Sequence, residues 1–240
     1  RQRKGLTRAE SRELLTHRHF LGPMMVRMGD ADGLIGGLVH KYADTVRPAL
    51  QTIGLDAKAR LVAGTYMMVF KSELMFFADP VINIDPSAQE LAEIALCTAE
   101  TARSFDVEPR VAMLSFSNFG SSRHPQADKV RQATKIVQQR APDLVVEGEM
   151  QADLALTPSM LEEAYPFAEL KGRANVLVFP DLSSANVAYK LTQCLAGAEA
   201  VGPILMGFDK PVHLMPSNST VEQIVQLTAV AVVDAQQSSD

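Results

Sequence analysis

The densest run of side chains able to do chemistry is Ser115-Phe116-Ser117-Asn118-Phe119-Gly120-Ser121-Ser122-Arg123-His124, which leaves an apolar strand pattern and precedes a helical one. In a parallel sheet, ligands bind in the crevice beyond the strand ends. Small polar residues with free backbone N–H groups beside an arginine suit an anion such as phosphate there. The same composition also suits a solvated strand-to-helix loop, and composition alone leaves both readings open. Arg47, in Asp44-Thr45-Val46-Arg47-Pro48, reads by itself as a surface arginine on a helix. His17, His19, His40, His124 and His213 show no metal-ligand spacing beyond His17-x-His19, which gives them packing or solvent roles.

Several common signatures are missing: the phosphate-binding P-loop, His-Glu-x-x-His, paired Cys-x-x-Cys, and Gly-x-Gly-x-x-Gly after a strand. Gly33, Gly36 and Gly37 lie near one another without the dinucleotide spacing, so they read as turn or close-packing positions. The 11 methionines scatter over strand and helix patterns as core filler.

A scaffold must position these residues, and 240 residues suffice for one large domain or two modest ones. Apolar residues make up 47% and charged ones 21%, which is globular composition rather than disorder or low complexity. Lys and Arg number 23 against 28 Asp and Glu, a net charge of −5, so no overall positive field draws the chain to nucleic acid or an anionic membrane. The longest apolar stretch, Leu61 to Phe70, is too short to span a bilayer. The 2 cysteines, Cys97 and Cys194, sit in helix-like patterns, which points to a reducing cytoplasm rather than a disulfide framework. The opening Arg1-Gln2-Arg3-Lys4-Gly5 has neither a methionine nor a signal sequence, and suggests a piece of a longer polypeptide.

Thr7-Arg8-Ala9-Glu10 and Ser87-Ala88-Gln89-Glu90 are capping boxes, predicting helices from about residue 7 to 17 and from 87 past Ala102. Phe20 to Met28 is expected as a strand, Leu34 to His40 as a helix, and Tyr42 to Ile53 as a helix that accommodates Pro48. Arg60 to Phe70 and Glu73 to Phe77 are expected as two strands of one sheet. Strands over 110–115, 144–149 and 175–179 then alternate with helices over 127–140 and 182–196. A short extended segment at 212–215 and a last helix over 219–236 follow. The continuously apolar strands argue for α/β architecture with both sheet faces covered.

Five short stretches, collinear over most of the chain, resemble the phosphate acetyl/butyryltransferase family: Ala43–Gln51 (ADTVRPALQ), Asp85–Ala95 (DPSAQELAEIA), Phe179–Leu182 (FPDL), Asn186–Lys190 (NVAYK) and Gly202–Leu205 (GPIL). Within it, Arg3-Lys4-Gly5, Met24–Asp32, Ser115–Ser121 and Glu147–Asp153 look like the transacetylase-like C-terminal domain of large bacterial NADP-dependent malic enzymes. The resemblance implies two α/β subdomains of the isocitrate/isopropylmalate dehydrogenase type around a central coenzyme A cleft, with dimerisation through the second. The first would comprise residues 1–85 plus 216–240, incomplete at its N-terminus, and the second residues 86–215.

Active transacetylases carry a Ser-Arg-Gly motif and, six residues past its arginine, an aspartate. The matching positions here are Pro216, Ser217, Asn218 and Gln223. Serine supplies no fixed charge and an amide is no general base near neutral pH, so no catalytic residue is assigned there. Arg47 matches a phosphate-binding arginine. Arg47, Ser117, Asn118, Ser121 and Ser217 are therefore the expected acyl-CoA or phosphate ligands, with no metal ligand.

The resulting expectation is a cytoplasmic, acyl-CoA-binding regulatory and oligomerisation domain. It would hold no cofactor of its own, take acetyl-CoA as effector, and assemble as a homodimer or larger oligomer without nucleic acid or membrane partners. Its own N-terminal malic enzyme part would decarboxylate malate with NADP and Mg or Mn. The alternatives are an active phosphate acetyltransferase using Ser117, Arg123 and His124, and a purely structural assembly module.

Overall fold

The computed structural model describes residues 1–71 and 73–237. Its elements are α1 (Arg8–Leu14), α2 (Arg18–Met28), β1 (Leu34–Gly37), α3 (Tyr42–Thr52), β2 (Ala63–Val69), β3 (Leu74–Ala78), α4 (Ala88–Ser104), β4 (Arg110–Leu114), α5 (Pro125–Arg140), β5 (Val145–Met150), α6 (Ala152–Leu156), α7 (Pro158–Ala164), β6 (Val176–Val178), α8 (Leu182–Ala196), β7 (Glu199–Met206), β8 (Val212–Met215) and α9 (Val221–Gln237). The mixed α/β class agrees with the sequence expectation.

The chain divides into two compact units: Arg1–Val62 with the chain from Gly202 onward, and Ala63–Val201. The first boundary falls after Val62 rather than after residue 85, because β2 and β3 form an antiparallel hairpin whose second strand pairs in parallel with β6. Residues 63–78 thus belong to the sheet of the second unit. The other boundary falls after Val201 rather than after residue 215.

In the first unit β1 and β8 form a two-stranded parallel sheet, with Leu34 opposite Val212 and Gly37 opposite Met215. Gly37 has a reason to be glycine: its φ is 107°, and a Cβ there would lie 2.3 Å from the Met215 carbonyl oxygen. Two expectations are corrected here. Residues 18–28 form α2 rather than a strand, with Pro23 and Val26 buried three residues apart while Met25 and Met28 face outward, a helical and not an alternating pattern. Residues 34–37 form β1 rather than the start of a helix, since parallel pairing with β8 outweighs a local pattern whose two glycines disfavour helix. Pro48 is accommodated within α3, which buries Thr45, Pro48 and Ala49 and leaves Arg47 on the exposed side.

In the second unit the strand order is β5-β4-β6-β3-β2, with β7 beside β2. β3, β6, β4 and β5 run parallel, so their carboxyl ends share one edge. Both faces are apolar: Phe76, Met68, Met75, Met113 and Met150 are among the largest fully buried side chains. The Ser87–Glu90 capping box is present in full, and α4 buries Leu91, Ala95, Ala99 and Ala102 at spacings of three and four. β7, α6 and α7 were not expected from sequence; Gly202-Pro203 punctuates the first of these as a loop would.

Candidate functional site

Two strand-end regions carry the residues singled out from sequence, one in each unit. In the second unit, the connection β3–α4–β4 leaves the sheet in one direction and β6–α8–β7 in the other, the arrangement that opens a crevice at the carboxyl ends of parallel strands. The Ser115–His124 loop leaves β4 at this edge. From residue 117 to 122 its backbone donors are occupied. The Ser117 N–H donates to Ser115 Oγ (3.3 Å), Asn118 N–H to Ser121 Oγ (3.0 Å) and Phe119 N–H to the Glu149 carbonyl (2.9 Å). Gly120 N–H donates to Glu149 Oε1 (2.8 Å), Ser121 N–H to the Asn118 carbonyl (2.9 Å) and Ser122 N–H to Ser117 Oγ (3.0 Å). The backbone anion cradle that the composition suggested is therefore spoken for from residue 117 to 122.

The side chains are equally engaged. Ser117 is 1% exposed, donates to Glu149 Oε1 (2.9 Å) and lies 3.1 Å from Ser121 Oγ. Asn118 Nδ2 donates to Gln151 Oε1 (3.1 Å) and its Oδ1 accepts from Gln151 N–H (2.6 Å), tying the loop to the end of β5. The centre of this network is Glu149, which the sequence analysis did not single out. Its carboxylate also accepts from Arg131 Nε (2.9 Å) and Nη2 (3.0 Å). Burial by itself raises its pKa, but the hydrogen bonds from Arg131, Gly120 and Ser117 outweigh that and hold it below the ordinary carboxylate range. Two glutamates, Glu147 and Glu149, inside a strand that begins Val145-Val146 and ends at Met150 were the signal available. Arg123 and His124 are exposed, and His124 Nδ1 caps α5 by accepting from Gln126 N–H (3.2 Å).

At the same edge Asp79, only 3% exposed, accepts from the N–H groups of Val81 (2.9 Å), Ile82 (3.0 Å) and Asn83 (3.1 Å) and from Asn83 Nδ2 (2.6 Å). Burial wins in this case and raises its pKa over the hydrogen bonds from Val81, Ile82 and Asn83, none of which brings a positive charge.

In the first unit the parallel strands β1 and β8 end together, with Leu38 N–H donating to the Met215 carbonyl (3.1 Å). Two segments leave this edge: Val39–Lys41, which enters α3, and Pro216–Thr220, which enters α9. Arg47 is exposed on the second turn of α3. Ser217 and Asn218 are exposed at the turn closed by Ser219 N–H and Oγ donating to the Pro216 carbonyl (3.2 and 2.8 Å). Gln223 serves the backbone instead. Its Oε1 accepts from Thr220 N–H (3.0 Å) while Thr220 Oγ1 accepts from Gln223 N–H (3.3 Å), a capping box for α9. Ser217 thus lies at one strand edge, the edge from which the chain enters α3 and its Arg47, and Ser117, Asn118 and Ser121 at another.

The first unit also concentrates positive charge. Arg1, Arg3, Lys4, Arg8, Arg12 and Arg18 stand against Glu10 and Glu13 in the first 18 residues, in a chain whose net charge is −5. α1 buries nothing, and Arg1 Nε donates to the Gln51 carbonyl (3.5 Å), one turn beyond Arg47 on α3. Among the described residues none of these six cations, nor Arg47, enters an ion pair.

Residues 1–232 match the family model of the phosphate acetyl/butaryl transferases. The chain belongs to that family. It is 44% identical over 235 residues to a phosphate acetyltransferase of Bacillus subtilis, covering 98% of this chain and 73% of that protein. It is 39% identical over 236 residues to a phosphate acetyltransferase of Nitratidesulfovibrio vulgaris, of which it spans only 34%. Its structure resembles a phosphotransacetylase from Streptococcus pyogenes with a TM-score of 0.92 and 46% identity, over 98% of this chain and 72% of that one. These relatives are phosphate acetyltransferases in their own right. They overturn the expectation of an acyl-CoA-sensing regulatory domain of a malic enzyme, and with it the oxidoreductase reading. Among the described residues no helix is long and apolar enough to cross a membrane.

Proposed function

We propose that this chain transfers an acetyl group between acetyl phosphate and coenzyme A. The observation that carries this reading is the 44% identity to a phosphate acetyltransferase across 98% of the chain. The charge distribution supports it: both substrates are anions, and the first 18 residues of a net-acidic chain carry six cations against two carboxylates, with Arg47 on α3. In the forward direction the thiolate of coenzyme A attacks the acetyl carbonyl carbon, the carbon–oxygen bond to phosphate breaks, and phosphate leaves with the bonding electrons. Arg47 neutralises the leaving phosphate, a role to which uncharged Ser217 contributes no fixed charge.

The test is thioester formation by the full chain from acetyl phosphate and coenzyme A. Turnover is expected, with the KM for acetyl phosphate rising about 10- to 100-fold in Arg47→Ala, the loss of one charge-assisted contact worth roughly 1.5–3 kcal/mol. Wild-type protein that makes no thioester overturns the reading.

A further inference from the structure

The transfer needs a group to take the thiol proton, and the strand-end edge from which the chain enters α3 offers few. Gln223 is an amide whose carbonyl oxygen is occupied by Thr220 N–H. Asp44, in the first turn of α3, is exposed. Two imidazoles are better placed. His40 leaves the carboxyl end of β1 immediately before Lys41, the N-cap of α3, and is exposed. His19, half-buried in the first turn of α2, meets it edge to face, with ring centroids 4.3 Å apart and planes at 87°.

We propose that His40, held in place by His19, accepts the proton of the coenzyme A thiol during acetyl transfer; the proposal rests on the transferase reading above. The S–H proton passes to a ring nitrogen of neutral His40, the thiolate forms the new carbon–sulfur bond, phosphate departs, and the imidazolium returns its proton to solvent. His40 is then the catalytic residue and His19 a positioning residue. Burial of His19, then the charges of His40 and Arg18, push its pKa below the ordinary histidine value, with His17 adding to this and Asp44 alone opposing. An imidazole is the side chain whose ordinary titration range suits proton transfer near neutral pH.

The experiment compares the full-length wild type with His40→Asn, His40→Ala, His19→Asn and Asp44→Asn, measuring kcat, both KM values and the pH profile of kcat/KM. In His40→Asn kcat should fall about 10²- to 10⁴-fold, the usual contribution of a positioned general base, with both KM values nearly unchanged and the acid limb of the profile lost. Added imidazole should restore part of the activity of His40→Ala, which a merely structural histidine would not permit. His19→Asn should move the acid limb without abolishing it. If wild type turns over and His40→Asn keeps kcat within about twofold, the proposal fails while the transferase reading stands. It also fails if the acid limb persists in His40→Asn and disappears in Asp44→Asn. Inactive wild type overturns both readings together.

Discussion

Glu149 shows how one side chain can fix a loop. Its two oxygens accept from Arg131 twice, from Gly120 N–H and from Ser117 Oγ, and only 1% of its side chain is exposed. Glu149→Gln removes the charge that Arg131 answers and replaces one acceptor by a donor. The expected cost is about 3 kcal/mol, at the low end for breaking a buried pair because Arg131 keeps some solvent and Asp128, and urea denaturation would measure it. The pH dependence has a definite sign. The folded state holds Glu149 below its unfolded pKa, so its contribution is complete at neutral pH and is lost as pH falls through and below the ordinary carboxylate range. The acid limb of stability should accordingly be shallower in Glu149→Gln. These residues were half legible in sequence: the loop was recognisable, but its partner on β5 lies some thirty residues along the chain, and its N–H groups, which looked available, are consumed by that partner and by the loop's own side chains.

Among the elements, the helices that announced themselves did so through local chemistry. Thr7–Glu10 and Ser87–Glu90 each close a capping box within four residues, so no distant contact is needed to specify them. Ser87→Ala should cost about 1 kcal/mol, read as a lowered midpoint in thermal unfolding. Thr220→Ala removes the reciprocal bond to Gln223 and should cost a similar ~1 kcal/mol, with the loss concentrated in the first turn of α9 when followed by amide exchange. Sequence missed this third box because position 223 was compared with a catalytic carboxylate rather than with Thr220. The strand β1 was illegible for a different reason. Only pairing with β8, far along the chain, makes an extended backbone worthwhile for Leu34–Gly37. Gly37→Ala places a methyl group against the Met215 carbonyl at a positive φ and should destabilise the first unit, a loss that circular dichroism melting would register.

At the scale of the whole molecule the charge is unevenly distributed. A net charge of −5 argues against polyanion binding in general, yet the first 18 residues carry six cations against two carboxylates. If those cations serve an anionic substrate, the KM for coenzyme A should rise steeply with ionic strength while kcat changes little, because the contacts are exposed and the Debye length shortens from ~10 Å at 0.1 M to ~3 Å at 1 M salt. Steady-state kinetics between those two salt concentrations would test this. The family resemblance was visible in five collinear stretches. The finer inference, from Pro216, Ser217, Asn218 and Gln223 to a regulatory role in a malic enzyme, was overturned by the relatives rather than by any residue in the segment.

By itself the sequence determined what depends on short range: the capped helices, the apolar strands of the second unit, the α/β class, and family membership carried by contiguous motifs. Tertiary structure alone decided what depends on residues far apart. It assigned the β2–β3 hairpin to the second unit through pairing with β6, and turned the 34–37 segment into a strand through β8. It also occupied the Phe119 and Gly120 donors with Glu149 and brought His19 against His40. The physical reason is the same in each case: a backbone or side-chain polar group takes whichever partner the fold places within hydrogen-bonding reach, and that partner's identity is not written in its neighbours.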